Sequence, residues 1–303
     1  MSFFHVIVLA IVQGLAELLP VSSSAHVVVA EKLMGLDPSS PQMTLLLVML
    51  HTGTMFAVIA YFWQQWRQSY FATVDAFKRF ALRLVYATAL TGVVGYGLIK
   101  AIEMTVLKGH STAEIEMLFG RLDLMAPALA CAGILILIAG LREKKLDAAA
   151  AAQAVAASLT RRPSDSVTMR QAGWMGLLQG LALPFRGLSR SGATISIGML
   201  TGATKQRAER FSFALAVLVT PAAIVREGLR LLHATHAAAA SGTPIDLHGT
   251  VAMSLLGAVF SFLAGLVALK WLSNWLENGR WYLFGIYCLV ASAVVFFLHT
   301  KGY

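Results

Sequence analysis

Gln13, Glu17, Ser23 and His26 all lie in one short stretch, QGLAELLPVSSSAH at 13–26. Gln13 and Glu17 are spaced i, i+4, so they share a helix face. Ser22 and His26 repeat that spacing, with Ser23 alongside. Pro20, between the two pairs, should end the first helix. The stretch therefore offers an acid, hydroxyls and an imidazole around one turn. Its flanks are strongly apolar, and an ionisable group at membrane depth is a functional-site signal by default. Packing alone would explain the serines, but it gives no reason for the acid and the imidazole beside them.

A second polar stretch stands half a chain away. Ser189, Arg190, Ser191, Gly192 and Thr194 open an apolar helix in LSRSGATIS. Backbone N–H groups at a helix N-terminus, hydroxyls and one guanidinium make an anion cradle. Gly192 is expected to let the backbone approach a ligand. Arg190 has no acidic neighbour in sequence, so its counter-charge is either distant or bound. Arg186 is a second cation, which either assists the cradle or reaches the lipid headgroups. An acid, an imidazole and hydroxyls facing a cationic phosphate grip suit attack on phosphorus. Ser23 or a water could attack, and His26 could be the base or itself the nucleophile. Glu17 could orient the nucleophile or hold a divalent metal, with Gln13 beside it.

The rest of the chain must position these stretches inside a membrane. Of its 303 residues, 57% are hydrophobic and only 13% charged, and the mean hydropathy is +0.70. Soluble domains carry about 25% charged residues. The net charge of +9 is spread in short runs between apolar segments, so it marks topology rather than a nucleic-acid partner. Cys131 and Cys288 lie in apolar runs without metal-ligand spacing and read as small core residues. MSFFHVIVLA lacks the basic start of a cleavable signal, so the first apolar stretch belongs to the fold.

Candidate spanning helices run near 43–63, 82–100, 122–141, 208–225, 250–272 and 281–299. Two further apolar regions, 4–36 and 170–204, are broken in the middle, and each half is too short to span. Such broken segments are expected to be re-entrant hairpins. QGLA opens the polar part of both, at 13–16 and again at 179–182. Arg67, Lys78, Arg79 and Arg83 follow the first span, and Arg142, Lys144, Lys145, Arg161, Arg162 and Arg170 follow the third. By the positive-inside rule both loops are cytoplasmic. The first hairpin then enters from outside and the second from the cytoplasm. The expected fold is an all-α polytopic membrane protein with an inverted-topology repeat. Residues 1–147 form the first repeat, 148–168 a cytoplasmic linker, and 169–303 the second repeat. Such repeats place a shared site at the broken helices near the midplane.

At these residues the chain resembles the bacterial undecaprenyl-diphosphatase family linked to bacitracin resistance. That family's first signature runs like EGLTEFLPVSSTGH, against QGLAELLPVSSSAH here. Its second runs like PGxSRSGATI, against RGLSRSGATI at 186–195. The likeness extends through His51-Thr52-Gly53-Thr54 and Phe211-Ser212-Phe213, so it covers most of the chain. It implies removal of the terminal phosphate of undecaprenyl diphosphate, which recycles the lipid carrier of envelope polymers. It further implies Mg2+ or Ca2+ as cofactor and a site open to the periplasm across the inner membrane. Position by position, the functional residues it implies are Glu17, Ser23, His26, Ser189, Arg190, Ser191 and Thr194. Three positions depart from the signatures: Gln13 replaces an acid, Ala25 a glycine and Arg186 a proline. Expected partners are the polyprenyl diphosphate, membrane lipids and a second copy in a homodimer. A lipid-phosphate transporter, or a phosphatase for another prenyl diphosphate, is the alternative.

Overall fold

A computed structural model describes residues 2–38, 40–105, 118–153, 166–240, 246–276 and 280–303. Among these residues the chain is all-helical. Two short helices come first, α1 (Phe3–Ala16) and α2 (Ser23–Leu33), followed by three long ones: α3 (Pro41–Ser69), α4 (Val74–Thr105) and α5 (Leu122–Gln153). The order then recurs as α6 (Met169–Ala182), α7 (Arg190–Leu200), α8 (Lys205–Ala240), α9 (Leu247–Leu276) and α10 (Trp281–Thr300). The short pairs match in length, 14 and 11 residues in both cases. At 1.5 Å per residue the longer of them covers about 21 Å, less than a bilayer core of about 30 Å. Among the described residues six helices are long and apolar enough to cross a membrane, and the chain is a multi-pass membrane protein.

All six expected spans are present, and most of the helices outrun their apolar cores. α4 starts eight residues before position 82, and α8 continues past 225 through Arg226 and Arg230. Hydropathy ends where lipid ends, but helical hydrogen bonding continues into the interface. The Ala-rich stretch expected to be a linker is helical at 148–153, as the end of α5. Arg161 and Arg162 lie outside the described residues. Cys288 is buried as expected, but Cys131 is exposed on α5.

The repeated QGLA phrase has a packing meaning. α1 lies on α9, and α6 lies on α4, so each short helix packs against a long helix of the other half. A Cβ at Gly14 would stand 2.4 Å from Ala264 Cβ, and one at Gly180 would stand 2.9 Å from the Thr91 carbonyl. Only glycine permits either approach. Small residues at helix crossings are how membrane helices gain close contact, because lipid gives them no hydrophobic drive to associate. The crossing of α3 and α9 is tighter still, with a Cβ at Gly53 landing 2.0 Å from the Ala258 carbonyl oxygen. The crossing of α4 and α6 adds a bond from Thr91 Oγ1 to the Gly176 carbonyl at 2.9 Å.

Candidate active site

α1 stops at Ala16, and Glu17 follows as its C-cap. The chain turns through Pro20 and re-enters helix at Ser23. The i, i+4 pair meets as its spacing predicts: Gln13 Nε2 donates to Glu17 Oε2 at 2.8 Å. The same oxygen receives the Ser23 hydroxyl and lies 3.3 Å from His51 Nε2. The other oxygen, Oε1, receives Arg190 at 2.9 Å. The distant counter-charge of Arg190 is therefore Glu17, 173 positions away. The carboxylate is held from α1, α2, α3 and α7 together.

Around it lies a pocket of about 190 Å³, lined by Glu17, His51, Arg186, Arg190 and the serines of both breaks. α2 begins in its wall with Ser22–Ser24, and α7 begins there with Ser189–Ser191. Two helix N-termini thus converge on one cavity. Each carries the positive end of its dipole and amides without intrahelical partners. With Arg190 and Arg186 in the same wall, the pocket is built for an anion.

The sequence reads Ser22 only as the i, i+4 partner of His26, and the geometry marks it further. Its φ is 64°, the one positive φ outside glycine among the described residues. Its hydroxyl is buried without a protein partner. A left-handed serine costs of order 1–3 kcal/mol, and such strain concentrates at functional sites. The conformation also explains where His26 goes. Because Ser22 lies outside the helix, the i, i+4 spacing does not bring the imidazole to the serine side chains. His26 Nδ1 instead meets the Ser22 carbonyl at 2.8 Å. Its Nε2 meets Tyr287 Oη at 2.7 Å, and the two rings stack 5.7 Å apart. His26 lines a separate apolar cavity of about 470 Å³ with Val12, Leu19, Phe284 and Tyr287. The imidazole beside Glu17 is that of His51. A histidine in the middle of an apolar span was the signal that would have found it.

The second signature divides in the same way. Ser189 caps α7 by accepting from the Gly192 amide at 3.1 Å, and Ser191 lines the pocket. Thr194 turns away: it is fully buried and bonds Ser212 Oγ on α8 at 2.6 Å. Gly192 admits neighbours rather than a ligand. A Cβ there would stand 2.8 Å from Ser189 Oγ and 3.1 Å from the Pro20 carbonyl, so the two breaks touch at this point. Arg186 lies 4.0 Å over the Phe119 ring.

The expected divalent cation finds no protein cage here. Among the described residues no three His, Cys, Asp or Glu side chains gather to hold a metal ion. Glu17 is the one acid in the pocket wall, and both its oxygens are engaged. Gln13 is fully buried outside the wall. Its amide must turn nitrogen, not oxygen, toward the carboxylate, because oxygen facing oxygen repels.

With this geometry in view, comparison with known proteins decides the relationship. The family described as Bacitracin resistance protein BacA matches residues 6–294. The chain belongs to the BacA family. In this BacA-family chain the match extends to individual relatives. It is 54% identical over 295 residues to "Undecaprenyl-diphosphatase 2" of Acinetobacter baylyi, covering 97% of each chain. It is 32% identical over 299 residues to "Undecaprenyl-diphosphatase 2" of Burkholderia thailandensis, covering 96% of this chain and 95% of the relative. It is also 32% identical over 303 residues to "Undecaprenyl-diphosphatase 1" of Burkholderia pseudomallei K96243, with the same coverage.

Proposed function

We propose that this protein is a membrane phosphatase that hydrolyses undecaprenyl diphosphate to undecaprenyl phosphate and inorganic phosphate. It thereby recycles the lipid carrier of cell-envelope polymers. The family and the near-full-length identity to undecaprenyl-diphosphatases support the activity, and the comparisons do not favour the transporter alternative. The observation that carries the chemistry is the Glu17 carboxylate, bridged between the Ser23 hydroxyl and the Arg190 guanidinium.

The terminal phosphate enters the pocket at the starts of α2 and α7. Arg190 and the exposed amides of α7 neutralise its non-bridging oxygens. Glu17 takes the Ser23 proton as Ser23 Oγ forms a bond to the terminal phosphorus. The bridging P–O bond breaks, and undecaprenyl phosphate leaves with those electrons. Glu17 gives that proton to the departing undecaprenyl phosphate and then takes one from the water that attacks the phosphoserine. The Ser23–phosphorus bond breaks, the serine oxygen recovers the proton from Glu17, and phosphate departs. Ser22, Ser189 and Ser191 add donors to the anion. A divalent cation such as Mg2+ or Ca2+ would supply charge neutralisation at the diphosphate, and Glu17, the one acid in the pocket wall, is the residue that would hold it.

The isoprenoid chain fits the apolar cavity beside His26 and Tyr287. Ala16, Leu19 and Val21 line that cavity, while Glu17, Ser22 and Ser23 line the pocket. One turn of chain therefore separates headgroup from tail. The two helix pairs are re-entrant hairpins of opposite orientation, each leading one half of an inverted repeat. The pocket opens to the periplasmic face of the bacterial inner membrane. The deciding experiment measures phosphate released from undecaprenyl diphosphate by purified protein in detergent, with Mg2+, Ca2+ or EDTA. Release at a one-to-one yield is expected. A folded protein that releases none overturns the reading.

A further inference from the structure

His51 belongs to α3, ten residues from its start, between the apolar run 45–50 and the buried Thr52 and Thr54. Its Nδ1 lies 2.7 Å from the Leu47 carbonyl one turn earlier. A carbonyl only accepts, so Nδ1 carries a proton. Its Nε2 lies 3.3 Å from Glu17 Oε2. Between a ring nitrogen and a carboxylate oxygen at that distance, the contact is attractive only with a proton between them. The ring thus faces its own helix with one nitrogen and the acid with the other. That is an expensive arrangement for a packing residue and a natural one for an orienting residue.

The carboxylate needs orienting. Glu17 stands at the end of α1, where the helix gives way to a turn, and Gln13 is its one partner on its own helix. Arg190 pulls on Oε1. Against that pull Oε2 is held by Gln13, from the same helix end, and by Ser23, whose proton is given up in the reaction, so a lasting counter-pull must come from elsewhere. His51 supplies that counter-pull from a separate, rigid helix. It also supplies a donor where the amide at position 13 brings no charge.

We propose that His51 is a positioning residue for the phosphatase reaction, holding Glu17 Oε2 against the Ser23 hydroxyl. The inference rests on the reaction proposed above. It extends that reaction to a residue on a third helix, outside both serine-rich stretches.

The test compares wild type with His51→Leu and His51→Gln, measuring phosphate release over a range of undecaprenyl diphosphate concentrations. Loss of a hydrogen bond to a charged group corresponds to about a ten- to hundredfold effect. The Leu variant is expected to lose that factor in kcat, with KM changed by less than about threefold. The Gln variant keeps an N–H at similar reach and is expected to recover most of the rate. If the Leu variant does not fold, His51→Asn, too short to reach Glu17, takes its place in the comparison with Gln. Wild-type kcat in Leu or Asn overturns the proposal, and so does a Gln variant no better than either. An inert wild type would overturn the phosphatase reaction and this inference together. An active wild type with indifferent variants overturns this inference alone.

Discussion

Replacing Glu17 by Gln keeps the size and shape of the side chain and removes only its charge and basicity. In the native arrangement Oε2 meets three groups, from Gln13, Ser23 and His51, and Oε1 meets Arg190. An amide cannot serve both edges. With its NH2 toward Arg190, two donors face each other and the guanidinium loses its anion. With its NH2 toward Ser23, the hydroxyl must reverse and accept, and it no longer has a base. In either orientation the proton of Ser23 has nowhere to go. General-base catalysis is worth about a hundred- to ten-thousandfold, so kcat should fall by at least about a hundredfold, or about 2.7 kcal/mol of barrier. Substrate binding should hold or tighten, because Arg190 is released from its carboxylate and available to phosphate. Initial rates of phosphate release give kcat and KM, and a thermal unfolding curve in detergent shows that the variant is folded. A kcat within about threefold of wild type would refute the assignment of Glu17 as the base.

Two further outcomes separate the geometry from the resemblance. Thr194→Val removes the partner of a buried Ser212 hydroxyl and should cost about 1–3 kcal/mol of stability, with kcat/KM of the folded fraction little changed. A large loss of kcat/KM at unchanged stability would return Thr194 to the phosphate. Ser24→Cys, in a background with Cys131 and Cys288 replaced by serine, should be labelled in intact spheroplasts by a membrane-impermeant thiol reagent. Labelling confined to inverted vesicles would place the pocket on the cytoplasmic side.

Much of this site was legible because polar residues are conspicuous in an apolar chain. The Gln13–Glu17 pair meets because both lie at the end of one regular helix, where spacing translates directly into distance. The pair of Ser22 and His26 has the same spacing and fails. Its first member adopts a left-handed backbone before the helix begins, and no periodicity rule extends across such a residue. Thr194 read as part of the cradle because it closes the polar stretch that opens the helix and belongs to the family's second signature. On a helix, though, a residue four positions on sits a full turn from the end, and here that turn is covered by α8. Nothing in the residues around Arg190 names its partner, because the ion pair joins two halves of the chain and only packing brings them together. His51 was hidden differently. It sits inside a span whose hydropathy is high enough to tolerate one imidazole, so the span is read as a span and its histidine, seen only in the family likeness, is not given a role.

The contact between the two breaks, where Gly192 comes up against the carbonyl of Pro20, gives the site a particular relation to biosynthesis. On the proposed reaction the base and the nucleophile are made early in the chain, but the guanidinium arrives after more than half of the polypeptide has been inserted. Until the second pair of short helices docks, the nascent protein holds a carboxylate and a serine with no phosphate grip. It cannot attack the diphosphates of the membrane around it. On that reaction a truncated or half-inserted chain is expected to be silent rather than weakly active, with hydrolysis of the carrier beginning only when the two breaks have met.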